Sequence, residues 1–188
     1  MSNALRSFFL TSRFFGIGWG IVALFCAAFP FPFLLPVATG LLVALAAVTL
    51  VDTLLLHRVR SGINASRNTL DKWSNGDENP VTITVTSRYG IPVDVRVLDE
   101  LPFQFQERSL DLHARIPPGG TRELNYMVRP VERGVYTYGA INILVRTRLG
   151  LAERRYRQEQ GKEVATYPSY IHLRKYELMA LADRWSMA

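Results

Sequence analysis

The chain has 188 residues, 48% of them hydrophobic and 20% charged, with a net charge of +6. The apolar residues are concentrated in the first third, which excludes both a multi-span transporter and an ordinary soluble domain. The single cysteine, Cys26, excludes an intrachain disulfide and a cysteine metal site, as is usual for a protein of the reducing cytosol.

Two apolar runs, residues 14–29 and 33–56, lie near the N-terminus and are separated only by Pro30, Phe31 and Pro32. Asp52 is the one charged side chain within them. Because about 20 helical residues cross a hydrocarbon core of about 30 Å, the second run is long enough by itself. The first becomes long enough if residues 8–13 start the same helix. We therefore predict a membrane α-helical hairpin over residues 14–56, preceded by a short segment, residues 1–13.

Cations flank the open end of this hairpin and are missing from its closed end. They are Arg6 and Arg13 before the first run, and His57, Arg58, Arg60 and Arg67 after the second. The positive-inside rule then predicts two membrane spans with both termini in the cytoplasm.

The first run could instead be a secretory signal, with Ala27 and Ala28 as the small residues of a cleavage site. The protein would then be an exported periplasmic or cell-surface sandwich that binds envelope components. A second and longer apolar run follows at once, whereas polar sequence normally follows a cleavable signal.

Two features inside the runs suggest contacts. Gly16 and Gly20 match the motif that lets helices approach closely, which predicts packing within the hairpin or a homo-oligomer through the transmembrane helices. Asp52 is about 9 Å along a helix from Arg58, so we expect it to reach the membrane interface or to pair with His57 or Arg58. The alternative for Asp52 is a proton or ion site, because intramembrane carboxylates are often functional.

After residue 56 the hydrophobic period changes from helical to alternating. Val81, Ile83 and Val85 alternate with threonines, and residues 93–97 repeat this pattern. A loose alternation over residues 59–67 precedes them. Other short segments follow, with Gly or Pro at most of the turns: residues 103–105, 110–114, 124–128, one long run in two parts (135–138 and 140–148), 151–158 and 163–167. About eight strands in about 110 residues predict an antiparallel, all-β immunoglobulin-like sandwich over residues 57–168, with a small barrel as the alternative.

From residue 170 the apolar period is helical again, and Pro168 with Ser169 supplies a start signal. The apolar stripe contains Leu173, Tyr176, Met179 or Leu178, Ala182 and Trp185. We expect a C-terminal helix over residues 169–188 that either packs on the sandwich or begins a further domain.

Motifs of phosphate loops, zinc hydrolases, serine hydrolases and redox cysteine pairs do not occur. The three histidines lie far apart in the sequence. We therefore expect no metal, no cofactor and no enzyme activity. The adjacent carboxylates Asp99 and Glu100 precede a proline and are expected in a solvated turn, which can bind backbone N–H groups. The enzymatic alternative combines them with His113.

Several cations lie close together near the end of the predicted sandwich: Arg154, Arg155, Arg157 and Lys162. On an exposed strand they are expected to face anionic lipid or solvent. Nucleic acid is the alternative, and we do not expect it as a partner.

Three groups of residues occur in an order that resembles a bacterial membrane family. They are Arg133, Gly134, Tyr136 and Gly139, then Gly150 and Leu151, and finally Tyr167 and Pro168. The two apolar runs and the stretches 75–79 and 99–102 match as well. Together they resemble the N-terminal part of proteins catalogued under domain of unknown function 58.

In that family the anchored sandwich is followed by a domain similar to a von Willebrand factor type A fold, which commonly carries an Asp-x-Ser-x-Ser metal-ion site. The genes often neighbour those of MoxR-like AAA-type ATPases. The resemblance thus implies an inner-membrane scaffold or adaptor that acts with these partners in chaperone-like assembly or envelope maintenance. Asp-x-Ser-x-Ser does not occur here, so no metal ligand carries over. We expect a fragment or a truncated member, in which the family motif residues hold the fold.

Overall fold

Two helices and a β-sandwich make up residues 8–106 and 110–168, the part of the chain that this computed structural model describes. Strand β1 (Phe8–Leu10) precedes helix α1 (Ser12–Ala28), and one turn of 3-10 helix (Pro32–Leu34) leads into α2 (Leu35–His57). The predicted C-terminal helix, residues 169–188, lies outside the described residues.

The start of α1 differs from the prediction that residues 8–13 lengthen the first helix. Phe8, Phe9 and Leu10 are extended and pair antiparallel with residues 152–154 of the sandwich. Helix α1 is therefore limited to 17 residues. Among the described residues, one helical stretch, Pro32–His57, is long and apolar enough to cross a membrane, and Ser12–Ala28 is apolar but shorter.

Ten strands follow the helices: β2 (Ile63–Thr69), β3 (Lys72–Ser74), β4 (Asn79–Ser87), β5 (Val93–Asp99), β6 (Leu110–Ile116), β7 (Thr121–Val128), β8 (Gly134–Thr137), β9 (Ile141–Arg146), β10 (Ala152–Gln158) and β11 (Glu163–Tyr167). Together with β1 they form three sheets, with the strand orders β1-β10-β9-β5-β6, β2-β4-β7 and β3-β11-β8. All neighbours are antiparallel except β11 and β3. The predicted β-sandwich is confirmed, and β3 is a strand that the sequence pattern missed.

The main core lies between the sheet β2-β4-β7 and the strands β5 and β9. Ile83 and Val85 of β4 are fully buried in this core, while Thr84 between them is partly exposed. Residues of β5 and β9 complete the same core: Val93, Val95, Val97, Ile141, Ile143 and Val145. Burying one such side chain contributes about 1.5–3 kcal/mol, so this alternation drives the pairing of the two sheets.

A second, aromatic core lies at the far end of β2, away from the helices. We call it the distal core; its buried residues are Trp73, Val81, Val128, Tyr136, Tyr138 and Val164. The Trp73 ring lies 5.6 Å from that of Tyr136 and 5.7 Å from that of Tyr138, centroid to centroid. Between β8 and β9 the chain passes from one sheet to another at Gly139, where a side chain would overlap Glu100.

Candidate functional site at the junction of helices and sandwich

Asp52 is fully buried although it lies in the apolar helix α2. Its Oδ2 accepts hydrogen bonds from the backbone N–H groups of Leu151 and Ala152, both at 2.9 Å, and its Oδ1 accepts one from the Thr147 hydroxyl. Thr147 and Leu151 belong to the turn between β9 and β10, and Ala152 is the first residue of β10. We call these four residues the Asp52 network.

The beginning of α1 holds the same turn from the other side. The Thr11 hydroxyl donates to the Gly150 carbonyl at 2.6 Å, and the Thr11 backbone N–H donates to the Leu151 carbonyl at 3.1 Å. Gly150 has φ +64, a left-handed conformation that glycine adopts without steric cost, and Arg13 packs against it. Both helices are thus fixed to one tight turn of the sandwich.

This arrangement explains how a carboxylate can be buried in an apolar helix. Burying an ionised carboxylate is very costly unless every oxygen is satisfied. Three hydrogen bonds from one turn meet this need without a cation, in the way that a nest of backbone N–H groups binds an anion. The network therefore requires the turn and α2 to stay in register.

Leu151 adds an apolar contact to these polar ones. Its side chain is buried in a cluster with Ile21 of α1 and Leu45 of α2, and Phe14 and Phe25 pack against this cluster. One turn thus contributes both a set of hydrogen-bond donors for Asp52 and an apolar side chain that enters the cleft between the helices.

The C-terminal end of α2 makes a second contact with the sandwich. Arg154 donates from Nη1 to the carbonyls of Leu56 at 2.7 Å and Val59 at 2.9 Å. The Tyr89 hydroxyl also donates to the Leu56 carbonyl at 2.9 Å and lies 2.6 Å from the Tyr156 hydroxyl. A cation suits the negative end of a helix dipole, so Arg154 caps α2 electrostatically as well as by hydrogen bonding.

Tyr89 is held tightly at this contact. Burial, followed by the hydrogen bond with Tyr156, raises the pKa of Tyr89 above its ordinary value. Gly62 packs directly against the Tyr89 ring, and any side chain at position 62 would overlap it. The end of α2 therefore occupies a socket, defined by Gly62, Tyr89, Arg154 and Tyr156, whose shape depends on one glycine.

The expected pairing of Asp52 with His57 or Arg58 is wrong. His57 is bonded through Nδ1 to the Thr53 carbonyl at 2.9 Å, within its own helix. Asp52 turns instead toward residues that lie 95 to 100 positions later in the chain. The Asp52 side chain is fully buried by the protein, and its position relative to a membrane interface stays a prediction.

Gly16 and Gly20 lie on exposed parts of α1, and a Cβ at either position would meet no atom within 4 Å in the described chain. Close helix packing at these glycines is therefore not a feature of the hairpin itself. Packing against another copy stays a prediction.

A second buried carboxylate, Asp99, lies inside the sandwich. The Arg67 guanidinium donates to both of its oxygens, with Nε to Oδ2 at 3.1 Å, and the exposed fractions of the two side chains are 1% and 0%. The Tyr126 hydroxyl donates to Oδ2 at 2.6 Å, and the Arg67 guanidinium stacks over the Tyr138 ring at 4.1 Å. Burial raises the pKa of Tyr126, and the Asp99 charge raises it further.

The expectation of a solvated turn is thus wrong for Asp99, because Arg67 reaches it from β2. Glu100 fits the expectation better, because it binds a backbone N–H group. Its Oε2 accepts the Ala140 N–H at 3.0 Å, and its Oε1 accepts from the Asn142 amide at 2.7 Å. His113 is exposed and its Nε2 lies 3.3 Å from Asp111. Asp99, Glu100 and His113 each have separate partners and do not form one site.

The predicted cationic group divides between several positions. Arg154 belongs to the socket, and Arg155 donates to the Asn142 amide oxygen at 2.7 Å. Arg157 pairs with Glu159 at 2.9 Å, and Lys162 donates to the Thr69 carbonyl at 3.0 Å. These residues do not form one continuous cationic surface.

The family motif residues occupy three places. Arg133 is exposed just before β8 and Gly134 is the exposed first residue of that strand, whereas Tyr136 is buried in the distal core. Gly150 and Leu151 belong to the turn at the junction. Tyr167 and Pro168 are exposed at the end of β11. No group of three metal-ligating side chains that could hold a metal ion is found within residues 8–106 and 110–168.

No protein-family model and no curated protein matches this chain. Among solved structures it is similar to PapD-like domain 7 of human CEP192, with a TM-score of 0.43 and 8% identity over 58% of this chain and 87% of that one. It is also similar to the CARDB domain of a Pyrococcus furiosus protein in complex with di-metal ions, with a TM-score of 0.37 and 14% identity over 56% of this chain and 87% of the other.

A third similar structure is the PKD domain of an M14-like peptidase from a Thermoplasmatales archaeon, with a TM-score of 0.35 and 11% identity over 56% of this chain and 93% of that domain.

Proposed function

We propose that this protein is a non-enzymatic adaptor of the bacterial inner membrane, in which the hairpin crosses the bilayer and holds the sandwich in a fixed orientation on the cytoplasmic side. The observation that carries the proposal is the Asp52 network. It joins a helix pair with an apolar outer surface to a folded β domain through buried hydrogen bonds.

The outer surface of the helices supports a lipid environment. Large apolar side chains project outward along both helices, including Trp19 of α1, which is 73% exposed, and Val43 of α2, which is 68% exposed. Soluble monomers rarely expose contiguous apolar patches larger than a few hundred Å². Lipid would cover these side chains, whereas water would not.

The dimensions are also compatible with a bilayer. From Leu35 to Asp52 the helix α2 rises about 25 Å, and the 17 residues of α1 rise about the same. This length is slightly shorter than the hydrocarbon core of about 30 Å, a difference that bilayers accommodate at a modest cost. Because α2 continues to His57, residues 56–60 would then lie at the level of the lipid headgroups, with the turn that holds Asp52 just beneath them.

The charges support the orientation. Arg13, Arg58, Arg60 and Arg148 are exposed at the end of the hairpin that contacts the sandwich, and the connecting turn between the helices has no cation. Under the positive-inside rule the sandwich is cytoplasmic. The proposed partners, a von Willebrand A-like domain and a MoxR-like AAA-type ATPase, rest on the family resemblance. A fixed junction suits a protein that presents such partners at a set distance from the membrane.

The test is cysteine labelling in a Cys26→Ser background. A cysteine at Phe31, in the turn between the helices, should react with a membrane-impermeant maleimide on intact spheroplasts. A cysteine at Glu123, exposed on β7, should react only after lysis. The reverse pattern would contradict the proposal and favour an exported sandwich that binds envelope components.

A further inference from the structure

A polar groove of about 320 Å³ lies beside the end of α2. Its lining includes Arg60, Ser61, Asn64, Arg88, Tyr156 and Arg157. Arg60 and Arg88 are exposed, and neither makes an ion pair with a carboxylate in the described part of the chain. Arg157 pairs with Glu159 at 2.9 Å, and the Glu159 side chain is 76% exposed. The groove thus contains more positive charge than its surroundings neutralise.

The backbone around this groove is fixed by the socket. The Arg88 N–H donates to the Gly62 carbonyl at 2.8 Å, and Arg154 donates from Nη2 to the Arg60 carbonyl at 3.2 Å. These bonds use backbone atoms of residues 60, 62 and 88 and leave the guanidinium groups of Arg60 and Arg88 available. The two cations are therefore presented by two turns, one after α2 and one after β4, whose backbones are held by hydrogen bonds.

An apolar groove of about 430 Å³ lies on the last two turns of α2, next to this turn in the sequence. Val51, Leu54 and Leu55 line it, together with His57 and Arg58. An extended acyl chain needs a narrow apolar surface of this kind, and its headgroup needs cations at one end. Along the chain, the apolar residues of this groove are followed within five positions by Arg60 of the polar groove.

We propose that the groove binds the phosphate of an anionic phospholipid of the cytoplasmic leaflet, with an acyl chain along the end of α2. Guanidinium groups recognise phosphate by paired, charge-assisted hydrogen bonds. Ser61 and Asn64 add neutral donors to Arg60 and Arg88. The proposal rests on the proposed function, because a lipid headgroup reaches the groove only if α2 lies in the membrane.

The test uses the full chain in neutral detergent micelles, titrated with dioctanoyl phosphatidylglycerol or dioctanoyl phosphatidylcholine, with bound lipid measured by native mass spectrometry. The wild type should bind phosphatidylglycerol about tenfold more tightly than phosphatidylcholine. The double variant Arg60→Gln/Arg88→Gln should lose this preference, because each well-placed Arg strengthens binding to anionic lipid severalfold. The backbone bonds of both residues are kept in this variant.

The matched control is Arg129→Gln/Arg133→Gln, which removes the same charge from exposed residues near the far end of the sandwich. It should bind phosphatidylglycerol as the wild type does. Equal binding of the two lipids, an equal loss in both double variants, or displacement of phosphatidylglycerol by equimolar inorganic phosphate would overturn the proposal. Labelling of the cysteine at Phe31 separates the two proposals. If that cysteine is labelled on intact spheroplasts but the chain shows no preference between the two lipids, the lipid site alone is contradicted.

Discussion

Asp52 at the junction and Asp99 in the sandwich are both fully buried carboxylates, but different donors satisfy them. Asp99 has a charged partner, Arg67, and the Tyr126 hydroxyl, all within the sandwich. Asp52 has only neutral donors, and they belong to a different part of the molecule from its own helix.

The difference separates two tasks. Breaking an ion pair that is buried within one domain destabilises the whole domain, because the remaining charge has no partner. Losing neutral hydrogen bonds between a turn and a helix of another unit costs less, so we expect each unit to stay folded without them. Asp99 should therefore support folding of the sandwich, whereas Asp52 should support its orientation relative to the helices.

The largest expected effect is that of Asp99→Asn. This variant leaves Arg67 buried without a counter-charge, so the free energy of unfolding should fall by about 3–5 kcal/mol. Urea unfolding in detergent, followed by tryptophan fluorescence, measures it, because Trp73 is buried in the distal core.

The matched control is Asp111→Asn. Asp111 pairs with Arg96 at 2.6 Å, but both side chains are more than a third exposed, so the loss should stay below about 1 kcal/mol. If both variants lost the same free energy of unfolding, burial would not determine how much the Asp99–Arg67 ion pair contributes to stability.

Alkaline pH should weaken the same region. Burial raises the pKa of Tyr138 from 10.0 to about 12, so the folded state keeps a proton that the unfolded state loses. The stabilisation is complete below pH 10 and disappears as the pH rises toward 12. Tyr138→Phe should make the dependence of the unfolding free energy on pH shallower by about 1.4 kcal/mol per pH unit in that window. An unchanged slope in urea titrations at several pH values would contradict this assignment.

Gly62→Ala should affect the junction instead. The new methyl group would overlap the Tyr89 ring, and such overpacking typically costs about 1–3 kcal/mol. Gly90→Ala is the control, because a Cβ at that position meets nothing within 4 Å. Thermal unfolding of both variants gives the comparison. If Gly90→Ala lost as much stability as Gly62→Ala, the loss would come from replacing a glycine as such and not from overlap with Tyr89 in the socket.

The strands were predictable because alternation is a local signal. Val81, Ile83 and Val85 show it within five residues, and the structure buries all three. The role of Asp52 was not predictable, because its donors lie 95 to 100 positions away and nothing near Asp52 points to them. The turn itself could be recognised from Gly150, but its partner, Asp52, could not be inferred from the sequence. Asp99 was misinterpreted for the same reason, since Arg67 lies 32 positions earlier.

The most direct test of the account is a double-mutant cycle of Asp52 and Thr147, read by amide hydrogen exchange in the full chain in lipid nanodiscs. Asp52→Asn should speed exchange at Leu151 and Ala152 by about tenfold, which corresponds to about 1.4 kcal/mol, while amides of β4 and β9 keep their rates. Combining it with Thr147→Val should add less than the sum of the single effects, because the two side chains form one hydrogen bond. Unchanged exchange at Leu151 and Ala152, or faster exchange throughout the sandwich, would contradict an orienting role for Asp52.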